Sequence, residues 1–378
     1  MKNIFDIAPK PYLPKKLPLE LNKILYDMDI IELMSIASLT MGEYKGFLLS
    51  TPNPMLLISP LLAQEAVLSS KLEGTHATLE DFLNFEAGEK TEIEKDELNE
   101  ISNYRTALYY ALENLGTINE ENNKLPLSSR IIKEMHKILL SNVRGRDKNP
   151  GEFKRNQNYI GSNTKISYTP VPPDKTNEYM KNLEEYIHYE EKTILIQSAI
   201  IHAQFEMIHP FEDGNGRIGR LLIPLFLYYR DYLPIPAFYM SKYFEKDRDT
   251  YIKKLNGISA ENNWKDWIKY YLSGVIEQAK ISTQKAFLLR KDYLSMKEQC
   301  LKDISSKYII YLLDFIFYKP VFKSNQVKEH FDSMKVKIGK TTIQTLLKKL
   351  VDLNFLESSN DKKNKLFYCP SILNNVND

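Results

Sequence analysis

Along most of the chain, apolar residues recur at three- and four-residue intervals, the spacing that gathers them on one face of an α-helix. The pattern predicts helices over residues 19–37, 60–73, 96–115, 128–141, 174–189, 193–207 and 242–256. Another runs through the stripe Trp264, Trp267, Tyr270, Tyr271 and Val275, which reads as core. Capping residues mark several starts: Ser59 before Pro60, Thr78 before Leu79, Ser128 before Ser129, and Asp174 after the pair Pro172-Pro173. Two stretches break the rhythm. Pro9, Pro11, Pro14 and Pro18 each remove a donor and fix their own φ, so this segment reads as an extended arm. Between Pro150 and Pro173 the helical period vanishes, and residues 158–168 read as a short hairpin turning at Gly161-Ser162-Asn163.

The last seventy residues read as a separate unit. Short amphipathic segments over 305–317, 324–331 and 340–353 precede two strand-like runs, 354–357 and 365–369, around the polar turn 358–364. Three helices and a two-stranded wing make a winged helix. The expected fold class is therefore an all-α body carrying one β-hairpin, followed by a small α+β winged-helix domain.

Composition narrows the class without changing that picture. At 378 residues, 43% of them hydrophobic and 26% charged, the chain can bury a large core and is ordinary for a soluble protein. Its net charge of +2 gives no global pull toward nucleic acid. The two cysteines, Cys300 and Cys369, stand at no metal-ligand spacing and argue against a disulfide framework, which fits a cytoplasmic setting. The start Met1-Lys2-Asn3-Ile4-Phe5 lacks the apolar run of a signal peptide. The richest apolar stretch, 218–229, is interrupted by Gly219, Arg220 and Pro224, so no membrane span is expected.

Candidate chemistry concentrates in His209-Pro210-Phe211-Glu212-Asp213-Gly214-Asn215-Gly216-Arg217-Ile218-Gly219-Arg220. A turn with two glycines opens here onto an apolar helix, and such a helix N-terminus presents unpaired N–H groups that bind phosphate. Gly214 and Gly216 would let the backbone close on a pyrophosphate, and Arg217 and Arg220, three residues apart, would clamp its oxygens. Asp213 is a hard carboxylate suited to Mg²⁺, and the imidazole of His209, at a backbone position restricted by Pro210, suits a general base. Base, metal and anion hole together describe in-line attack on a nucleotide phosphate.

The same twelve residues resemble the signature of the Fic (Fic/DOC) family of nucleotidyltransferases. The likeness extends to His202, Phe205 and Ile208 before the signature, and to Gly151, Phe153, Gln157, Ile160, Gly161, Tyr168, Pro170, Pro172 and Pro173 of a flap hairpin. It implies a Fic-type helical fold and transfer of AMP from ATP, with Mg²⁺ or Mn²⁺, to a hydroxyl side chain of a protein. His209 would be the base, Phe211 an apolar anchor and Asp213 the metal ligand. Gly214, Asn215, Gly216, Arg217, Ile218, Gly219 and Arg220 would bind the ATP phosphates, with Tyr243 and Tyr251 at the adenine pocket. Ile160, Gly161 and Tyr168 would dock a target segment by strand addition. Ser69, Glu73 and Gly74 match the family's inhibitory motif, in which a carboxylate on Arg220 holds ATP in an unproductive pose. The implied partners are ATP, proteins with Ser, Thr or Tyr hydroxyls, the chain itself as a target, and a second copy in a homodimer; no membrane partner is expected.

The expected division is an N-terminal arm and inhibitory-helix region (1–90), a catalytic domain (91–300) and a winged helix (301–378). Residues 321–378 hold ten lysines against six acidic residues and no arginine. Lys340, Lys348 and Lys349 fall on the would-be recognition helix, and Lys362, Lys363 and Lys365 on the wing, so DNA is a candidate partner. Two readings stand beside AMP transfer: a nucleotide-sensing regulator acting through the winged helix, and removal of AMP by the same residues with Glu73 positioning water.

Overall fold

A computed structural model describes residues 8–119, 124–162, 165–360 and 365–377. Six helices come first: α1 (Asn22–Leu25), α2 (Met28–Leu49), α3 (Pro54–Leu72), α4 (Leu79–Glu86), α5 (Lys95–Asn114) and α6 (Ser129–Leu139). The hairpin β1 (Ile160–Ser162) and β2 (Lys165–Tyr168) follows, then α7 (Pro173–Ile187), α8 (Ile194–Ile208), α9 (Asn215–Tyr229), α10 (Ser241–Lys246), α11 (Arg248–Glu261) and α12 (Trp264–Asp303). The chain continues with α13 (Ile309–Tyr318), β3 (Val321–Lys323), α14 (Ser324–Ser333), α15 (Lys340–Asp352), β4 (Glu357–Ser358), β5 (Leu366–Tyr368) and α16 (Pro370–Asn377). The expected all-α body with one hairpin is observed. These residues divide between two compact units.

The first unit takes the described residues of Met1–Gly46, Leu68–Thr75 and Asn99–Lys280. At its centre α8 and α9 pack on each other, with α7 against α8 and α6 against α7 and α9. Both central helices are apolar nearly all round, and a helix with no polar face must be covered on every side; only Ile194 and Glu206 in α8 and Gly216 in α9 are not fully buried. From α12, the Trp267 indole donates to the Ala199 carbonyl (2.9 Å), and Trp267, Tyr271 and Val275 are buried as core. The proline-rich arm is extended as expected: Tyr12 N–H donates to the Thr169 carbonyl, and Leu17 exchanges two hydrogen bonds with the Asn182 amide of α7.

The second unit takes Phe47–Val67, His76–Leu98 and the described residues of Ile281–Asp378. Its antiparallel sheet has the order β3-β5-β4, with Phe322 opposite Phe367 and Glu357 opposite Tyr368. Phe315, Phe322, Phe331, Ile343, Leu346, Leu347 and Leu350 form its buried interior. The last carbonyl of α4, that of Glu86, has no intrahelical donor, and this unit supplies it from the side chains of Lys319 and Gln326; Lys323 donates to the Gly88 carbonyl just beyond the helix.

Several expected boundaries move. The first helix does not begin near Leu19; α1 starts at Asn22, the chain breaks at Tyr26-Asp27, and Asp27 accepts the Ile30 N–H to open α2. Ser59 is no cap, because α3 begins at Pro54 and contains Pro60; the Ser59 hydroxyl donates instead to the Tyr318 carbonyl (3.0 Å). Thr78 caps α4 in a full capping box with Asp81. Ser128 precedes α6 without a capping bond, and the Ser129 N–H goes to Glu184 (2.9 Å). Pro172, not Asp174, holds the cap position of α7. The helix expected over 242–256 is two, divided at Asp247, whose side chain accepts the Thr250 N–H and starts α11. Strand β3 and helix α16 were not expected: three strand residues are too few to show alternation. Asn163 of the hairpin turn, Lys362 and Lys363 of the wing, and Met1-Lys2-Asn3-Ile4-Phe5 lie outside the described residues.

Candidate active site

His209 sits at the C-terminal end of α8, in left-handed backbone conformation (φ 49°, ψ 61°). A residue before proline ordinarily adopts extended φ/ψ, so this geometry must be held. Two side chains hold it: Lys154 Nζ donates to the carbonyls of Ile208 (3.1 Å) and His209 (2.9 Å), and Asn158 donates to those of His209 (3.1 Å) and Phe211 (2.8 Å). His209 Nδ1 faces the Glu206 carbonyl at 3.3 Å. A carbonyl only accepts, so Nδ1 carries the proton and Nε2 is the free basic nitrogen. Burial, with the Lys154 ammonium adding, lowers the imidazole pKa to about 4 and keeps the ring neutral through the physiological range.

The turn from Pro210 to Asn215 is fixed from both sides. Asn215 clamps Phe211 with two bonds of 2.8 Å, accepting its N–H and donating to its carbonyl. The buried Phe211 ring stacks on His136 at 3.7 Å. His136 Nδ1 accepts the Gly151 N–H, so Nε2 donates to the Asp213 carbonyl (2.9 Å). Gly214 enters α9 at φ 75°, and a Cβ there would press on Leu139 and His136. The first-turn N–H groups of Asn215, Gly216 and Arg217 have no intrahelical acceptor and form the anion-binding end of α9.

The two arginines of that helix meet different carboxylates. Arg217 is buried, with Nη1 on Glu100 of α5 at 2.8 Å and Nη2 3.6 Å from Asp213. Arg220 points the other way: Nε donates to Ser69 Oγ and Nη2 to the Ser69 carbonyl (both 2.8 Å), and Nη2 also pairs with Glu73 Oε1 at 2.7 Å. Burial pushes the Glu73 carboxyl up, but the Arg220 guanidinium, with Arg217 and His209 adding, outweighs this and holds it below its ordinary value. Glu73 lies in the turn that follows α3, and Gly74 (φ 96°) ends it. Arg248 donates to the Leu72 carbonyl (3.2 Å) and Lys71 pairs with Glu245 (2.8 Å), fixing that turn. A Cβ on Gly216 would overlap Glu73 Oε1 and stand 2.9 Å from Arg220 Nη1. The Glu73 carboxylate thus rests against the first turn of α9, in space that exists only because residue 216 is glycine.

A cavity of about 150 Å³ gathers Glu73, His209, Gly216, Arg220 and Glu206 with the hairpin residues Ile160 and Tyr168. Its other wall is Leu72 and, from α11, Tyr251, Ile252, Leu255, Asn256 and Ser259. Tyr251 is fixed by a hydrogen bond to His202: the His202 Nδ1–H must donate to the Gly219 carbonyl (2.9 Å), so Nε2 accepts from the Tyr251 hydroxyl (3.0 Å). The Tyr168 hydroxyl donates to the Met207 carbonyl (2.9 Å), and Gly161 pairs with Ile166 in the hairpin. Tyr243 is not in the cavity lining; it packs over Gly274 beside Tyr270. The Ile218 side chain is buried in the core, and Gly219 faces Phe205 and Glu206. Asp213, with Gly145 against its Oδ2, is not in the cavity lining, and its side chain is 35% exposed. Among the described residues no group of three or more His, Cys, Asp or Glu converges as a metal site.

Two family models match the chain: the N-terminal Fic/DOC model over residues 31–113 and the Fic/DOC model over 126–227. The chain belongs to the Fic/DOC family. It is 33% identical over 154 residues to "Protein adenylyltransferase Fic" of Drosophila virilis, and 29% identical over 143 residues to "Protein adenylyltransferase fic-1" of Caenorhabditis elegans. Those alignments take in 39% and 37% of this chain but only 29% and 26% of the relatives. The chain thus spans less than a third of the curated relatives' length. The fold matches a Fic family protein from Desulfovibrio desulfuricans G20 with a TM-score of 0.58 at 17% identity, over 95% of this chain and 98% of that one.

Against the Fic signature, the structure adds residues that the motif leaves unspecified. Lys154 and Glu206 occupy unassigned positions between the named ones, and His136 and Glu100 come from helices far away in sequence. His136 and Glu100 could have been flagged as polar residues on otherwise apolar helical faces. No helix among the described residues is long and apolar enough to cross a membrane.

Proposed function

We propose that this protein transfers AMP from ATP to a hydroxyl side chain of a protein, its own chain included, and that Glu73 holds the reaction off. The observation that carries this reading is the convergence of Nε2-basic His209, the α9 N-terminus, Arg220 and Glu73 in one cavity. The target hydroxyl oxygen attacks the α-phosphorus, its proton passes to His209 Nε2, and the bond to the β-phosphate oxygen breaks as pyrophosphate leaves. Asn215, Gly216 and Arg217 supply backbone N–H groups to the phosphates, the Gly214 N–H being taken by Asp213 Oδ1, and Arg220 takes the γ-phosphate once Glu73 withdraws. Tyr251, Ile252, Leu255 and Leu72 offer an apolar bed for the adenine. Asp213 is a half-exposed lone carboxylate, which suits an ion that takes one or two carboxylates and completes its shell with phosphate and water. It would hold Mg²⁺ or Mn²⁺, which neutralises charge on the phosphates. β1 and β2 form a two-stranded sheet, so a target segment has an edge to join. The discriminating test is label position. Incubation with α-labelled ATP should label protein, and γ-labelled ATP should not; label from the γ position would make the reaction phosphorylation and overturn the reading.

The second unit supports a further reading, that α13–α15 with β3–β5 form a winged helix that binds DNA. Lys340, Lys348 and Lys349 are exposed on α15, and no ion-pair partner is seen for them among the described residues. The full chain should then shift duplex DNA in a salt-dependent way, and Lys348→Glu with Lys349→Glu should abolish the shift. A shift that neither salt nor these changes alter would remove DNA from the partners. The free, buried cysteines suit a cytoplasmic location.

A further inference from the structure

Glu206 has no part in the mechanism above, yet it lies one turn before His209 on α8 and lines the same cavity. Its Oε2 is 3.9 Å from His209 Nδ1, the nitrogen that carries the proton. Its Oε1 is buried with no hydrogen-bond partner. The carboxyl is packed against Gly219, where a Cβ would overlap Oε1, so it has little room to turn elsewhere. A buried acid side chain with one oxygen unsatisfied and the other 3.9 Å from an imidazole N–H is placed to accept a hydrogen bond from that N–H after a small tilt of the ring.

We propose that Glu206 is a positioning residue for His209. Its ionised carboxylate takes the Nδ1–H, keeps Nε2 turned to the target hydroxyl, and stabilises the imidazolium formed when that hydroxyl's proton arrives. The arrangement is that of a carboxylate orienting a histidine base, in which the carboxylate itself takes no proton. The proposal rests on His209 acting as the base. The present Nδ1 contact to the Glu206 carbonyl, at 3.3 Å, is long, so the ring can tilt toward the carboxylate without losing a strong bond.

The surroundings set when this happens. Arg220 of α9, Glu73 from the turn after α3 and Tyr251 of α11 act on Glu206, and Arg248 of α11 and Tyr168 of β2 line the same cavity; Lys154 stands behind His209 on its carbonyl. Burial raises the Glu206 pKa to about 7, Arg220 opposes this, and Glu73 adds to it. Below that pH the carboxyl is neutral and gives Nδ1–H only a weak partner. Above it the carboxylate forms, and the base strengthens.

The test uses uniformly ¹⁵N-labelled full-length protein, its imidazole nitrogens followed from pH 5 to 9, with His209 assigned by its loss in His209→Ala. The expected His209 is neutral with Nδ1 protonated, and its Nδ1 shift inflects near pH 7 in the wild type but not in Glu206→Gln. Unchanged His136 and His202 signals show the variant folded. In the Glu73→Gly background, AMP transfer should rise about tenfold from pH 6 to 8. Glu206→Gln should remove that rise and leave the KM for ATP within twofold. An inflection that survives in Glu206→Gln, or an unchanged rate at pH 8, overturns the proposal. If no AMP transfer is found at any pH, the proposed activity fails, and the nitrogen shifts alone decide whether Glu206 partners His209.

Discussion

Glu73→Gly will raise AMP transfer about ten- to a hundred-fold over the unaltered protein. The size follows from the contact removed. Glu73 Oε1 makes a charge-assisted bond of 2.7 Å to Arg220 and fills the space above Gly216 where a phosphate must lie. Such a bond to a charged group contributes about 1.5–3 kcal/mol, and ATP must displace it before its γ-phosphate reaches Arg220. With the carboxylate gone, Arg220 keeps only its two bonds to Ser69, and the protein without nucleotide should melt at a lower temperature. ATP should restore the melting temperature, because its phosphate takes the carboxylate's place. Adding His209→Ala to Glu73→Gly should return transfer to background, a loss of about 10²- to 10⁴-fold for a general base. Incorporation from α-labelled ATP into the chain itself measures all three proteins. Equal labelling across them would end the case for both the base and the brake. Acid is not expected to release the brake at physiological pH. The Glu73 carboxyl is held below its ordinary value, so the pair is fully formed at neutral pH and is lost only as pH falls through that lowered value.

Much of this site was legible in the sequence because its parts are local. Glycines flanking an asparagine, a carboxylate before them and arginines after them must form a turn into a helix whatever surrounds it. The signature Ser69, Glu73, Gly74 likewise survives as a single helix end. What failed was inference about direction. Arg217 and Arg220 are three residues apart and were expected to clamp one anion, but each takes a different carboxylate, from α5 and from the turn after α3. Helical spacing sets which residues share a face; it does not say which acid the rest of the chain brings to each. Backbone state was equally out of reach at His209, where the following proline marks a restricted position but not the left-handed conformation observed. Lys154 and Asn158, more than fifty residues earlier, supply the donors that hold it left-handed. Boundaries failed where one residue can serve two roles. Pro60 follows a serine as a helix start would, yet it lies inside α3. Asp247 reads as one more polar position in a helical run, yet its carboxylate ends one helix and starts the next.

Glu100→Ala should lower stability by about 3–5 kcal/mol and lower AMP transfer as well, the reverse of what Glu73→Gly does to activity. Glu100 and Arg217 are 2% and 1% exposed, and their bond of 2.8 Å is the main compensation for a guanidinium taken out of water. Breaking a buried pair from one side leaves the other charge uncompensated, and that loss is of this size. Little else nearby can replace it: Asp213 is 3.6 Å away and half-exposed, and Arg217 Nε already lacks a partner. The second cation on Glu100, Arg144, is largely exposed and is free to turn to solvent. Arg217 stands in the first turn of α9, so its relaxation disturbs the N–H groups that receive the phosphates. ATP separates the two carboxylates' roles. In Glu73→Gly a phosphate can reach Arg220 from the cavity and restore the melting temperature. In Glu100→Ala it cannot replace the missing charge, because Arg217 is outside the cavity lining. Thermal melts of both variants with and without ATP measure this. Recovery of Glu100→Ala by ATP to the wild-type melting temperature would show that Arg217 is a phosphate ligand after all, and that Glu100 shares the inhibitory role assigned to Glu73.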